Sequence, residues 1–118
     1  MYKLVSVMFP FASDAEKAKP RPGFVITSTF GKYNQVIVAY VTTQLDERLE
    51  TDILLDPKEP YFKSTGLLQK SLIKLHRLGT FQPNMLREAD GKLPNEIIPE
   101  LKQKLANIFQ LTSYKDSK

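Results

Sequence analysis

The chain has 118 residues, enough for one hydrophobic core and too few for two, which predicts a single domain over residues 1–118. It has no cysteine, and this excludes disulfides, thiolate metal sites and cysteine nucleophiles. The net charge of +4 suits RNA, DNA or an acidic protein segment as a partner, without choosing among them. No stretch approaches the roughly 18 apolar residues of a membrane span, so we expect a cytoplasmic protein with no membrane partner.

The first half of the chain predicts three strands. Residues 3–9 are apolar and β-branched up to Pro10. Residues 10–22 hold three prolines and mixed charge, which predicts a mobile loop of a length that often serves function. Residues 24–30 and 35–43 flank a glycine- and asparagine-containing turn and predict a β-hairpin.

The second hairpin strand is apolar without interruption from residue 36 to residue 41. Polar and apolar residues alternate in a half-buried strand, so this run predicts burial on both faces. Two arrangements would bury both faces. Either the strand lies at the centre of a sheet, or one of its faces meets a partner chain.

The turn also predicts the pairing of the hairpin. A symmetric turn over residues 30–35 places Gly23 opposite Thr42 and Arg21 opposite Gln44. Opposed residues, and residues two apart on one strand, share a face of the sheet. Arg21, Thr42 and Gln44 are therefore expected to project together, unless the register slips by one residue.

The second half of the chain predicts two more strands. Residues 49–56 form one of them, with Glu50 and Asp52 on the same side. Such a pair could bind a cation, but it is more often a solvated strand face. Residues 71–78 form the other, and its alternation places His76 beside Lys74 on an exposed face.

The C-terminal part of the chain predicts a helix. From residue 94 to residue 111, apolar residues recur every three or four positions, which is typical of an amphipathic helix. A proline at position 94 fits a first helical turn, although Pro99 could mark the true first turn instead. Residues 112–118 are expected to fray.

Most familiar catalytic patterns are missing. A single histidine excludes two-histidine zinc motifs, and neither a hydrolase triad nor a phosphate-binding loop is recognisable, so we expect no metal and no cofactor. What remains is Arg21 with Thr42, Thr43 and Gln44. A guanidinium group grips phosphate oxygens with its planar fork, and hydroxyl and amide groups beside it can orient a phosphate. The alternative is that Arg21 belongs to a solvated loop without function.

Four segments resemble the MazF/PemK (Kid) toxins in their order and spacing. They are Lys-Pro-Arg-Pro-Gly-Phe-Val-Ile-Thr from residue 19, Ile-Val-Ala-Tyr-Val-Thr-Thr-Gln from residue 37, Thr-Gly-Leu from residue 65 and Ser-Leu-Ile-Lys-Leu-His-Arg-Leu-Gly-Thr from residue 71. The segment Gly-Lys-Leu-Pro-(x)2-Ile-Ile from residue 91, before the helix, is similar to the ending of these toxins. The resemblance covers roughly residues 2–111.

The resemblance implies a mainly β (α+β) fold, a small SH3-like antiparallel β-barrel of the CcdB/MazF/PemK type with a C-terminal amphipathic helix. It also implies a homodimer that cleaves single-stranded RNA at short sequences without a metal and is inhibited by an acidic antitoxin protein. In that reaction the RNA's own 2′-hydroxyl would attack the adjacent phosphorus, so no protein nucleophile is needed. The alternatives are a non-catalytic SH3-like binding protein or a gyrase-directed toxin of the CcdB shape.

The resemblance also assigns residues. The family's critical arginine falls on Arg21 and its critical threonine on Thr42. The acid and base of Kid-like members fall on Gly79 and Gln82, so this pair is absent here, and His76 becomes a candidate catalytic residue in its place. The residues expected to contact RNA are Lys17, Lys19, Thr43, Gln44 and, by stacking, Phe11.

Overall fold

The computed structural model describes residues 1–10 and 19–111. Within them, six strands and one α-helix follow one another along the chain. The strands are β1 (Lys3–Val7), β2 (Arg21–Val25), β3 (Val36–Thr42), β4 (Asp52–Leu55), β5 (Ser71–Phe81) and β6 (Arg87–Lys92), and the helix is α1 (Ile98–Ile108). Two short 3-10 helices, Phe62–Thr65 and Pro83–Met85, lie before β5 and β6. All strand pairs are antiparallel, in the order β4-β5-β3-β2-β1-β6.

A hydrophobic cluster lies on each face of this sheet. The first contains Phe24 and Ala39 and is covered by Ile97 and Leu101, at the start of and within α1. The second contains Val25 and residues from β1, β3 and β5. Because side chains alternate between faces along a strand, β3 supplies residues to both clusters. The uninterrupted apolar run of β3 therefore reflects its central position in the sheet, and burying it requires no partner chain.

The sheet curls like a barrel without closing. Its edge strands, β4 and β6, do not pair with each other in the described part of the chain. Instead, the backbone at Gly66, between the first 3-10 helix and β5, lies directly against the backbone of β6 at Gly91. A Cβ atom on Gly66 would overlap the Asp90 carbonyl, and one on Gly91 would overlap the Thr65 carbonyl. Both glycines also have positive φ angles, 77° and 155°, which other residues rarely adopt.

The predicted strands occur, but their bounds were partly wrong. β2 begins at Arg21, so the predicted loop over residues 10–22 extends too far, and its residues 11–18 lie outside the described residues. The strand predicted at residues 49–56 shortens to Asp52–Leu55. β5 continues through Gly79 to Phe81, because β3 pairs with it along that whole length. β6 was not predicted, since its sequence is polar and carries a turn signal.

The predicted helix over residues 94–111 was too long at both ends. A turn in which the Ile97 N–H donates to the Pro94 carbonyl (3.0 Å) precedes the helix, and Pro99 lies in its first turn. At the other end, Gln110 takes a φ of 60°, which stops the helical path after Ile108. The expected frayed tail, residues 112–118, lies outside the described residues.

Candidate functional site

The hairpin register differs from the predicted one by two residues. Phe30 faces Gln35 as expected, but Gly23 faces Tyr40, so its predicted pairing with Thr42 was wrong. The segment that follows β2 holds extra residues around Thr27. Thr27 Oγ1 accepts the hydrogen bond from the Ile37 N–H (3.0 Å) in place of a backbone carbonyl. This irregularity, which the sequence alone did not reveal, shifts the pairing of β2 with β3 by two residues.

The shift brings the two central candidates closer together. A displacement of two residues leaves every side chain on its predicted face. Continuing the Gly23–Tyr40 register by two residues places Arg21 opposite Thr42, where Gln44 had been expected. Opposed residues of an antiparallel pair have Cα atoms about 4.5–5.5 Å apart. Arg21 and Thr42 are therefore neighbours on one face, and Gln44 lies beyond the end of β3.

Arg21 is half-buried at the start of β2, opposite Val7 of β1. Its Nε atom is buried and makes no hydrogen bond to any described residue. Within the described ranges, Arg21 also forms no ion pair. Guanidinium groups are usually hydrogen-bonded or paired when they are taken out of water. Arg21 thus has donors left over for a ligand, and an anion is the ligand that suits them.

Thr42 closes β3 with a fixed hydroxyl group. The Gln44 backbone N–H donates to Thr42 Oγ1 (3.1 Å), which uses one lone pair of that oxygen. The hydroxyl hydrogen remains able to donate to an acceptor placed between Thr42 and Arg21. Thr43 and Gln44 are exposed just beyond Thr42, and Lys19 is exposed just before β2. The other two predicted RNA contacts, Lys17 and Phe11, lie outside the described residues.

A second group of charged residues lies on the same face, one step further along the strands. Lys74 is opposite Tyr40 on one side and Asp52 on the other. The Asp52 side chain is fully buried and Lys74 is only 8% exposed. The predictions of a solvated face for Glu50 and Asp52, and of an exposed Lys74, were therefore wrong for Asp52 and Lys74. Glu50 is exposed, in the turn before β4.

The Asp52–Lys74 pair explains this burial. Lys74 Nζ donates to Asp52 Oδ2 (2.7 Å) and to the Glu47 carbonyl (3.1 Å), and the Leu49 N–H donates to the same Oδ2 (2.8 Å). From the helix, Lys104 Nζ donates to the Asp52 carbonyl oxygen (2.6 Å). Each charge is neutralised within the chain, which is what burial of a charged side chain requires.

His76 is exposed, as predicted, and its side chain lies toward Asp52. Its Nδ1 is 4.0 Å from Asp52 Oδ1, a carboxylate oxygen that has no hydrogen-bond partner among the described residues. His76 is part of a bulge in β5. Tyr40 pairs with Lys74 and the adjacent Ala39 pairs with Leu78, so three residues of β5 lie between these two pairs. In the same bulge, the Arg77 guanidinium lies over the Tyr40 ring, 5.7 Å from its centroid.

Other chemistry is not prominent in the described part of the chain. There, no group of three or more histidine, aspartate or glutamate side chains is arranged to hold a metal ion. On the opposite face, burial and then the charge of Glu59 raise the pKa of Tyr61 above its ordinary value. None of the helices in residues 1–10 and 19–111 has the length and apolarity needed to cross a bilayer.

Sequence reasoning missed the buried Asp52–Lys74 pair and the contact between Arg77 and Tyr40. Both join residues that are far apart in sequence, and the β5 bulge that contains Arg77 has no recognisable sequence pattern. The alternation of β5 placed Lys74 on the correct face. It could not show that residues 47–52 would cover this part of the face.

Solved structures share this fold. A Mycobacterium tuberculosis toxin, MazF-mt6, is 23% identical with a TM-score of 0.63, over 90% of this chain and 95% of that one. A second solved structure, described as an Mtb toxin, is 21% identical with a TM-score of 0.60, over 86% of this chain and 97% of that one. No curated protein matches the sequence. A family model for the PemK-like, MazF-like toxins of type II toxin–antitoxin systems matches residues 2–109, and the chain therefore belongs to this toxin family.

Proposed function

We propose that this toxin is an endoribonuclease that cleaves single-stranded RNA at specific short sequences, with Arg21 and Thr42 at the scissile phosphate. MazF-like toxins are generally RNA endoribonucleases. The observation that carries the proposal for this chain is the state of Arg21. It is a half-buried arginine whose Nε has no hydrogen-bond partner among the described residues, and the register of β2 and β3, continued by two residues, places it opposite a threonine whose hydroxyl can donate.

The 2′-hydroxyl of the RNA is the nucleophile in this proposal. Its oxygen forms a bond to the adjacent phosphorus while its proton passes to a base, and the bond from phosphorus to the 5′-oxygen breaks as that oxygen takes up a proton. The products are a 2′,3′-cyclic phosphate and a free 5′-hydroxyl. DNA lacks the 2′-hydroxyl and is not cleaved. No metal or cofactor takes part.

Arg21 stabilises the charge that develops in this step. As the 2′-oxygen adds, negative charge builds up on the non-bridging oxygens of the phosphorane. Within the described residues the Arg21 guanidinium has no ion pair and its Nε has no hydrogen bond, so Arg21 stabilises this charge without first giving up such contacts. Thr42 donates its hydroxyl hydrogen to one of these oxygens and thereby orients the phosphate. The proposed contacts to the flanking RNA come from five residues: Lys17, Lys19, Thr43, Gln44 and Phe11.

Two protein partners complete the proposal. As a member of a toxin–antitoxin family, this chain pairs with an antitoxin, and the net charge of +4 suits an acidic one. We also expect a homodimer, on the basis of the family resemblance. The apolar run of β3, which had been a second reason to expect a dimer, is accounted for by the two clusters of the chain itself.

The test is to incubate purified protein with a long single-stranded RNA in EDTA and to determine the product ends. We expect discrete fragments with 2′,3′-cyclic phosphate ends, and no cleavage of DNA of the same sequence. Arg21→Ala should slow cleavage by about 10²–10³-fold, the usual effect of removing one preorganised donor. Arg48→Ala is the matched control, since Arg48 is exposed in the connection between β3 and β4.

The opposite outcome favours a non-catalytic member of the family. Intact RNA, with wild type and Arg21→Ala behaving alike, would contradict the proposal. Loss of cleavage in EDTA that is restored by Mg²⁺ would contradict the metal-independent mechanism alone. If Arg48→Ala slowed cleavage as much as Arg21→Ala, positive charge in general, and not the position of Arg21, would account for the activity.

A further inference from the structure

A cavity of about 220 Å³ lies beside Arg21 and is not explained by the phosphate site. Its walls are the end of β1 from Ser6 to Met8, Pro20, and the segment from Asn84 to Arg87, which leads from the second 3-10 helix into β6. Pro20 is the residue immediately before Arg21, and Val7 is directly opposite Arg21 in the sheet. A group bound in the cavity would therefore lie next to an anion bound at Arg21.

The size of the cavity limits its occupant. Pockets for drug-sized ligands usually have volumes of about 300–1,000 Å³, and this one is smaller. It suits a single flat group. It is also open to solvent at the exposed side chains of Met8 and Met85, which are 50% and 54% exposed. Methionine sulfur and methyl groups make favourable contacts with aromatic rings, and large exposed apolar side chains around a concave site mark a binding surface.

The polar groups of the cavity suit the edge of a nucleobase. Asn84 presents a carbonyl oxygen and an amino group side by side, the combination that pairs with the edge of a base through two hydrogen bonds. Its side chain makes no hydrogen bond within the described part of the chain. The turn that carries it is held firmly, since the Met85 N–H donates to the Gln82 carbonyl (2.9 Å) and the Leu86 N–H to the Pro83 carbonyl (3.1 Å).

A positive charge in the wall of the cavity suits a nucleotide, which carries a phosphate as well as a base. Arg87 lines the cavity and, within residues 1–10 and 19–111, has no ion-pair partner. Arg87 pairs with Ser6, on the face of β1 opposite to that of Val7 and Arg21, so the positive charge in the wall of the cavity comes from Arg87, which can contact a phosphate there. Single-stranded RNA is read in this way, with a base turned out of the stack, packed against side chains and bonded along its edge.

We propose that this cavity binds the base of the nucleotide next to the scissile phosphate, and that Asn84 selects that base. This inference rests on the proposed function for its reaction, but it assigns a specificity site that the phosphate chemistry of Arg21 and Thr42 does not need. The occupant is a base of single-stranded RNA. A side chain of a bound protein is the competing occupant that the experiments below distinguish.

The first experiment measures cleavage of an RNA pool of random sequence by wild type and by Asn84→Ala. Loss of a good pair of hydrogen bonds to a base weakens discrimination by about 5- to 150-fold. We expect Asn84→Ala to keep cutting while its preference at one position beside the cleaved bond falls by this factor. Arg21→Ala should instead lose cleavage at all sequences alike. An unchanged base preference in Asn84→Ala would overturn the inference, whereas a wild type that cuts no RNA would overturn the proposed function.

The second experiment does not depend on cleavage. The chain has three methionines, so selective ¹³C-labelling of their methyl groups gives three NMR signals. Met8 and Met85 line the cavity, while Met1 lies before the opposite end of β1. Each of the four nucleoside 3′-monophosphates is titrated to high concentration, with ribose 5-phosphate as the probe without a base. We expect at least one nucleotide to shift the Met8 and Met85 signals but not that of Met1, and Asn84→Ala to weaken that shift.

The titration has two outcomes that count against the inference. If ribose 5-phosphate shifts Met8 and Met85 as strongly as the nucleotides do, the cavity senses phosphate at Arg21 and not a base. If no nucleotide moves these signals while purified antitoxin does, the cavity binds a protein side chain. In both cases RNA cleavage by the wild type is measured separately, so the proposed function stands or falls by its own result.

Discussion

Two groups of charged residues lie next to each other on one face of the sheet, and their chemical environments are opposite. Lys74 has its charge neutralised by Asp52 at 2.7 Å and donates a second hydrogen bond to the Glu47 carbonyl. Arg21, one row away along the strands, has a buried Nε without any partner in the described part of the chain. The charge of Lys74 is therefore compensated within the fold, whereas that of Arg21 has no partner among the described residues.

The difference separates structural from functional charge within a single surface. The motif that carries Lys74 and His76 is part of the resemblance to the toxin family, as is the motif that carries Arg21. A cation whose partners come from its own chain has little to offer an RNA phosphate, because it must first give up those partners. A half-buried cation without partners gains most from a phosphate. The contrast predicts that substitutions in the first group change stability and that substitutions in the second change activity.

The largest effect on stability is expected from Lys74→Met. This change leaves the fully buried Asp52 carboxylate without its cation, and breaking a buried pair in this way destabilises a protein by about 3–5 kcal/mol. The measurement is the free energy of unfolding in urea. The matched control is Lys3→Met, because the Lys3–Glu88 pair has a similar distance, 3.1 Å, but side chains that are 59% and 69% exposed. Exposed pairs contribute about 0–1 kcal/mol.

A double variant sharpens this prediction. Asp52→Leu combined with Lys74→Met removes both charges, and we expect it to recover much of the stability that Lys74→Met loses, since apolar replacements of buried pairs are often neutral. Equal losses in Lys74→Met and Lys3→Met would contradict the assignment of the Asp52–Lys74 pair as a structural element. No recovery in the double variant would show that the fold also depends on the hydrogen bond that the Leu49 N–H donates to Asp52 Oδ2.

The next largest effect is expected from a substitution of Arg21, and it is an effect on the rate of RNA cleavage. Arg21→Ala should slow RNA cleavage by about 10²–10³-fold, while its free energy of unfolding should change by no more than about 1 kcal/mol, since no described residue pairs with its side chain. Both quantities are measured on the same preparation. A loss of stability as large as that of Lys74→Met would mean that Arg21 holds the fold together, and the contrast between the two groups would no longer stand.

How far the sequence predicts this contrast depends on the range of the interactions involved. The face of Arg21 and Thr42 follows from strand alternation, which is local and survived a register error of two residues. The error itself came from Thr27, whose hydroxyl replaces a carbonyl in the ladder. Burial of Asp52 could not be predicted, because it depends on a lysine 22 residues further on and on contacts with Glu47 and Leu49 in the preceding connection. β6 was missed because polar edge strands carry little apolar pattern.

A smaller effect on activity is expected from Thr42→Val. Valine keeps the shape of threonine but removes the hydroxyl that donates to the phosphate, and a hydrogen bond to a charged group is worth about 1.5–3 kcal/mol, or about 10- to 150-fold in rate. The Gln44 N–H also loses its acceptor, but it is exposed and water can replace it. Thr42→Ser keeps the hydroxyl and serves as the control, with single-turnover cleavage of RNA as the measurement. Equal rates for Thr42→Val and wild type would remove Thr42 from the phosphate site.

The smallest effect is expected from His76→Gln, although the family resemblance made His76 a candidate catalytic residue. A general acid or base contributes about 10²–10⁴-fold to the rate. The side chain of His76 lies toward Asp52, 4.0 Å from its Oδ1, and β3 lies between β5 and β2, the strand of Arg21. His76 therefore belongs to the group of Asp52 and Lys74, and we expect His76→Gln to change the cleavage rate only slightly. Because its side chain is exposed, stability should change by about 0.5 kcal/mol or less. Cleavage rates of wild type and His76→Gln between pH 5 and pH 8 decide the matter. A loss of 10²-fold or more, with a changed pH profile, would assign His76 to catalysis and move the boundary between the two groups. A small and uniform change would leave Arg21 and Thr42 as the residues that act on the phosphate.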